Sequence, residues 1–155
     1  MAIELIRNAL DHNQNGILDG HERTSIRLIL YGHSFGGAAV VKVAKQLKKM
    51  DVPVLLTIQI DSVGWGDAVI PSNVARAANL FQRNGLIIRG EPKIRPEDPQ
   101  KTEILGNFEF DYRHKHIDLS QVPWHKKIIR VAHTKMEHDP EVWAKVEELI
   151  LNAIR

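Results

Sequence analysis

Residues 25–47 read "SIRLILYGHSFGGAAVVKVAKQL", and their interpretation decides the fold. The opening run "SIRLILYG" is short, apolar and rich in branched residues, as a buried strand requires. From Gly36 the residues are good helix formers. Ala39, Val43 and Leu47 are expected on one face, and Lys45, Lys48 and Lys49 elsewhere and near the end, where cations suit the helix dipole. "VPVLLTIQI", residues 52–60, is a second buried strand that ends at Asp61. Strand, helix and strand within about forty residues form a right-handed crossover in a parallel sheet.

Outward from this unit the elements are less sharply marked. "AIELIRNAL" places Ile3, Ile6 and Leu10 on one helical face before "DHNQNG" interrupts it. "NVARAANLFQR" is expected as a third strand, closed by Asn84-Gly85. Residues 89–125 keep no sustained period and are expected as a long excursion with short strands near Phe108 to Tyr112. "KKIIRVAH" is expected as a last strand. "DPEVWAKVEELILNAIR" is a terminal helix with Asp139 as N-cap, Pro140 in the first turn, and Val142, Val146, Leu149, Ile150 and Ala153 inward. The fold class expected is therefore α/β: a single three-layer α/β/α domain over residues 1–155 with a small, mostly parallel sheet.

Composition narrows the function classes. The chain has 155 residues, with 21 Lys+Arg against 19 Asp+Glu mixed along its length, so no charge block points to nucleic acid. Cysteine is absent, which removes disulfides, thiolate metal sites and cysteine nucleophiles. No apolar run reaches the roughly 18 residues a membrane span needs, and the start is amphipathic rather than a signal peptide. The compartment stays undetermined.

Gly32-His33-Ser34-Phe35-Gly36 fits G-x-S-x-G at a strand-to-helix junction, the context in which the motif has mechanical meaning. A sharp turn there holds the serine in strained dihedrals, and small residues at 32 and 36 are expected to avoid clashes between the crossing backbones. The helix N-terminus points free N–H groups at a developing oxyanion, and the amide of Phe35 is the natural donor. The plain alternative is a glycine-rich turn with a polar residue in it.

"LILYGHSFGGAAVVKVAKQL" followed by "VPVLLTIQIDSV" resembles the second half of an α/β-hydrolase of the lipase, esterase and thioesterase branch, over roughly residues 25–155. The resemblance implies a Ser–Asp/Glu–His triad in that chain order, on loops at the C-terminal edge of a parallel sheet. It makes Ser34 the nucleophile. It places the acid after a later strand, with Asp61 first and Asp67 and Glu91 behind it. It places the base before the terminal helix, where His133 stands among eight histidines, with His138 close behind and His114, His116 and His125 in the polar excursion. A family member normally has several strands before the elbow, and one of their loops supplies a second oxyanion amide; here 24 residues precede "SIRLIL". An exposed sheet edge is expected, covered by a second copy of the chain or by a further N-terminal segment. Loss of one oxyanion donor costs roughly 3 to 4 kcal/mol of transition-state stabilisation.

Residues 11–22, "DHNQNGILDGHE", match a twelve-residue EF-hand loop. Asp11, Asn13 and Asn15 occupy the first, third and fifth positions, Gly16 the turn, Ile17 the backbone-carbonyl position, Asp19 the ninth and Glu22 the closing twelfth. Leu18 is the apolar eighth. An exiting helix is expected to be absent or one turn long, and three carboxylates without a paired second hand imply weak Ca²⁺ binding. Two functions follow. One is a serine hydrolase acting on a small ester or thioester, needing no cofactor for its chemistry. The other is a calcium-binding or interaction module on a truncated hydrolase scaffold.

Overall fold

The computed structural model describes residues 2–85, 88–123 and 131–155. Helix α1 spans Ala2–Leu10, the short α2 Gly20–Thr24, β1 Ile29–His33, α3 Phe35–Lys48 and β2 Val54–Ile60. Then come β3 (Val69–Ile70), β4 (Val74–Phe81), β5 (Arg95–Pro96), β6 (Glu103–Glu109), α4 (Val131–Glu137) and α5 (Pro140–Ile154). The main sheet has the order β1-β2-β4-β6 with every pair parallel; β3 and β5 form a separate parallel pair.

Helices cover both faces, so the sheet is buried between two apolar layers, as parallel sheets require. On one face Leu56, Ile58 and Ile60 of β2 and Leu80 of β4 meet Ala132 and Met136 of α4 and Val142, Val146, Leu149 and Ala153 of α5. On the other, Val41, Ala44 and Leu47 of α3 pack with Leu10, Leu18, Val54, Ile70, Val74 and Ala77. This is the three-layer α/β arrangement that the strand, helix and strand of residues 25–60 imply.

Several boundaries differ from the sequence reading, each for a tertiary reason. The face of α3 that is buried is Val40, Val41, Ala44 and Leu47, whereas Ala39 is exposed and Val43 only partly covered. Ala39 and Val43 look instead into an open groove beside β1, lined also by Ile29, Tyr31 and Gly36. That groove exists because β1 is an edge strand, and Tyr31 on it is 55% exposed. The excursion carries a complete fourth strand, β6, which runs from Glu103 to Glu109 rather than around Phe108 to Tyr112. Its pairing with β4 absorbs an irregularity at Ala77/Ala78. The expected last strand lies mostly outside the described residues. Its end, Val131 to His133, is helical, because Ala132 and Met136 at i, i+4 spacing bury together against β2 and β4.

A buried polar clamp fixes α5. The Asp139 side chain accepts from the Glu141 amide as N-cap, from the Tyr112 hydroxyl at 2.8 Å, and pairs with Lys115 at 2.7 Å. Burial opposes the charge of Asp139, yet these donors hold its carboxyl below the usual range; burial and the same carboxylate push the Tyr112 phenol upward. Among the described residues no helix is long and apolar enough to cross a membrane.

Candidate active site

Parallel pairing brings the C-terminal ends of neighbouring strands to one edge, where ligands bind in open α/β sheets. The Ser34 amide donates to Ile60 O at 2.9 Å and the Asp61 amide to Leu80 O at 2.7 Å. Ser34, Asp61 and the residues after β4 therefore follow one another along that edge.

Ser34 occupies the N-cap position of α3 at φ 61°, ψ −128°, and its side chain makes no capping hydrogen bond. A serine in a plain turn would normally spend its hydroxyl on the helix amides, with extended dihedrals. Here the hydroxyl is spared and the backbone is held in a conformation that non-glycine residues rarely adopt. The reason is the crossing of β1 and α3. A Cβ on Gly32 would lie 2.5 Å from the carbonyl carbon and oxygen of Gly36, so the two backbones touch. Gly36 itself has open space where its Cβ would be, because that side faces the groove at the free edge of β1. The expected need for a small residue at 36 is thus not imposed by neighbouring atoms.

Asp61 is fully buried and also at positive φ, 41°. Its Oδ2 lies 2.6 Å from Nδ1 of His133, itself 5% exposed. Gln82 steadies the carboxylate, donating its amide to Oδ1 at 3.3 Å and Nε2 to Oδ2 at 3.0 Å. Gly90 packs so closely that a Cβ there would lie 2.2 Å from Asp61 Oδ1. The Asp61 carboxylate group thus sits among donors, and a proton on His133 Nδ1 would point at it and turn Nε2 away from it.

The other carboxylates are employed elsewhere. Asp67 is buried, and its Oδ2 accepts from the Ser62 hydroxyl at 2.5 Å. Glu91 Oε1 accepts from the Lys93 amide at 3.3 Å. Of the acids weighed from the sequence, Asp61 is the one in contact with His133. His138 is exposed; His114 and His116 lie in the polar excursion, and His125 falls outside the described residues.

Three participants carry no motif of their own. His33, directly before Ser34, stacks on the His133 ring with centroids 4.5 Å apart. Its Nε2 is buried and has no hydrogen-bond partner among the described residues. Burial first, and the adjacent His133 second, push its imidazole below the ordinary value. Gln82 reaches Asp61 through the register of β4 on β2, which pairs Ile60 with Leu80, and Gly90 is held there by the Glu91 amide, which donates to Ser62 O at 2.9 Å. That register is the only signal that could have found Gln82.

The 11–22 loop is structured by its own side chains. Asp11 accepts from the amides of Asn15 and Gly16, Asn13 from Asn15, and Asn15 from Ile17. Gly16 takes φ 79°, the turn its position demands. Glu22 is 3% exposed and closes a capping box with Asp19, while its Oε1 accepts from the amides of His12 and Asn13. Leu10 and Leu18 anchor the loop in the core. Among the described residues no three His, Asp or Glu side chains converge as a metal cage. The exiting helix is the single turn α2.

Comparison of the chain with family models, with curated proteins and with solved structures finds no match, so the reading of this edge rests on its geometry.

Proposed function

We propose that the chain is a serine hydrolase that cleaves a carboxylic ester or thioester through an acyl-enzyme on Ser34, with His133 as base, Asp61 as its orienting acid and the Phe35 amide as an oxyanion donor. The observation that carries this reading is Ser34 at φ 61° with an uncommitted hydroxyl, two residues from the Gly32–Gly36 backbone crossing. The buried Asp61–His133 pair supports the same assignment, since Asp61 follows Ile60, whose carbonyl accepts from the Ser34 amide at 2.9 Å. Ser34 Oγ bonds to the carbonyl carbon as its proton passes to His133 Nε2. The tetrahedral adduct collapses with breakage of the C–O or C–S bond, and the leaving alkoxide or thiolate takes the proton back from His133. Water repeats the sequence on the acyl-enzyme and frees the acid.

A fluorophosphonate probe tests the reading without knowledge of the substrate, since it needs only an activated serine. Wild type is expected to label and Ser34→Ala is expected not to; label retained on Ser34→Ala would assign the reactivity to another residue. The open edge at β1 is proposed to be covered in the working protein by a second copy or a further N-terminal segment that also brings the second oxyanion donor. Sedimentation that finds a monomer at all concentrations would exclude the second copy.

Calcium at residues 11–22 belongs to the same proposal as a brace rather than a reactant. Asp11, Asn13, Asn15, Asp19 and Glu22 would supply side-chain oxygens and Ile17 its carbonyl. Arg7 donates to the Gly16 carbonyl and brings a positive charge to the loop, which weakens cation binding. Ca²⁺ at millimolar concentration is expected to raise the melting temperature. A hundredfold excess over Kd would add about 2.7 kcal/mol. Mg²⁺ is expected to do much less, and Asp11→Ala with Glu22→Ala to remove the Ca²⁺ shift. No calorimetric heat and no shift would leave the loop an ordinary turn. The competing function, a non-catalytic calcium-binding or interaction module, requires an unlabelled Ser34, and its calcium-binding form requires that shift as well.

A further inference from the structure

We propose that the cleft beside Phe35 holds an anionic group of the substrate, a carboxylate or a phosphate, between Arg83 and Arg89. The inference rests on the serine-hydrolase reading for the bond that is cleaved. The cleft, about 380 Å³, opens at the C-terminal edge of the sheet between the elbow and the loops after β2 and β4. Phe35, whose amide is the proposed oxyanion donor, lines it, and so do Ser62 and Gly64, which follow the proposed triad acid in the chain. A group held here adjoins the place of the scissile carbonyl.

The charge in the cleft is unbalanced. Arg83 donates Nη1 to the Gly90 carbonyl at 3.2 Å, and Arg89 donates Nε to the Gly85 carbonyl at 2.7 Å. Among the described residues each guanidinium makes this one hydrogen bond, which leaves N–H groups to offer a ligand. Neither forms an ion pair among the described residues. Glu91 also lines the cleft, with its Oε1 accepting from the Lys93 amide, so the lining carries two guanidinium groups against one carboxylate. Planar forks of this kind match the paired oxygens of carboxylate and phosphate. The Gly90 segment that Arg83 grips also packs against Asp61, which fixes the anion site relative to the triad. The substrate class is then an ester or thioester with an anion a few atoms from its carbonyl, such as the monoester of a dicarboxylic acid or the ester of a phosphorylated alcohol.

The test compares p-nitrophenyl hemisuccinate with p-nitrophenyl butyrate, which match in length and differ in charge. In wild type the charged ester is expected to exceed the neutral one in kcat/KM by about ten- to a hundredfold, the worth of a charge-assisted hydrogen-bond pair. In Arg83→Ala with Arg89→Ala the ratio is expected to fall to about one, and in the double lysine variant to return in part; melting curves establish that the variants fold. A wild-type ratio of one, or a ratio that survives the double alanine change, overturns the proposal. Competition by succinate and by inorganic phosphate decides which oxyanion is preferred. Should neutral fluorophosphonate leave Ser34 unlabelled, the hydrolase reading fails. The cleft is then tested directly, by titrating the guanidinium ¹⁵N signals with succinate and with phosphate. Binding to wild type that is lost in the double alanine variant supports the anion site, and no binding to wild type overturns it.

Discussion

Asp61→Asn is expected to slow the labelling of Ser34 by about a thousand- to ten-thousandfold with the fold intact, as loss of the orienting acid does in serine triads. The hydrogen bonds at this position explain the size. Oδ1 faces the Gln82 amide, and Oδ2 faces both Gln82 Nε2 and His133 Nδ1. An asparagine has one acceptor oxygen for these donors. If the oxygen turns to the Gln82 amide, the new NH₂ group points at Nδ1 and forces the proton of His133 onto Nε2, where it can no longer accept from Ser34. If it turns to His133, two N–H groups are driven together at Oδ1. Asp67→Asn provides the contrast, since Asp67 accepts from Ser62 and makes no hydrogen bond with His133. It is expected to lose stability, about 1 to 3 kcal/mol for a disturbed buried hydrogen bond, with the labelling rate changed less than threefold. Labelling of Asp61→Asn within threefold of wild type would remove Asp61 from the triad.

The second large effect is expected at Gly32. Alanine there would set a methyl 2.5 Å from the Gly36 carbonyl, and a backbone group cannot swing aside as a flexible side chain could. Strand β1 and helix α3 must separate. Overpacking of this kind costs about 1 to 3 kcal/mol, roughly 5 to 10 °C in melting temperature at the upper end for a chain of this size. Because the same crossing holds Ser34 at φ 61°, labelling is expected to fall further than stability does. Gly36→Ala meets nothing within 4 Å and lies inside α3, so it is expected to be neutral or to stabilise by about 0.5 to 1 kcal/mol through helix propensity. Urea denaturation of both variants measures the contrast. If Gly36→Ala proves the more damaging of the two, the groove at the edge of β1 is occupied in solution.

Local pattern by itself determined the crossover unit, the strand-to-helix junction at Ser34 and the capped terminal helix. Hydrophobic period, glycine placement and N-cap chemistry act over a few residues and leave their mark within a short window. The parallel sheet followed, because a strand, a helix and a strand at that spacing have one favourable way to pack. Only the tertiary structure separates Asp61 from Asp67 and Glu91 as the carboxylate that meets His133, since their difference lies in which donor each meets in the fold. His133 was named from its place before α5, but its surroundings depend on α4 burying Ala132 and Met136, which no run of branched residues announces. The support of Asp61 by Gln82 arises from strand register, and the stack of His33 on His133 from the packing of α4 against the end of β1. Arg83 and Arg89, in the loop after β4, meet Phe35 only in the lining of the cleft. Register is set by the summed packing of whole strands and helices, and that sum cannot be read from any one stretch of chain.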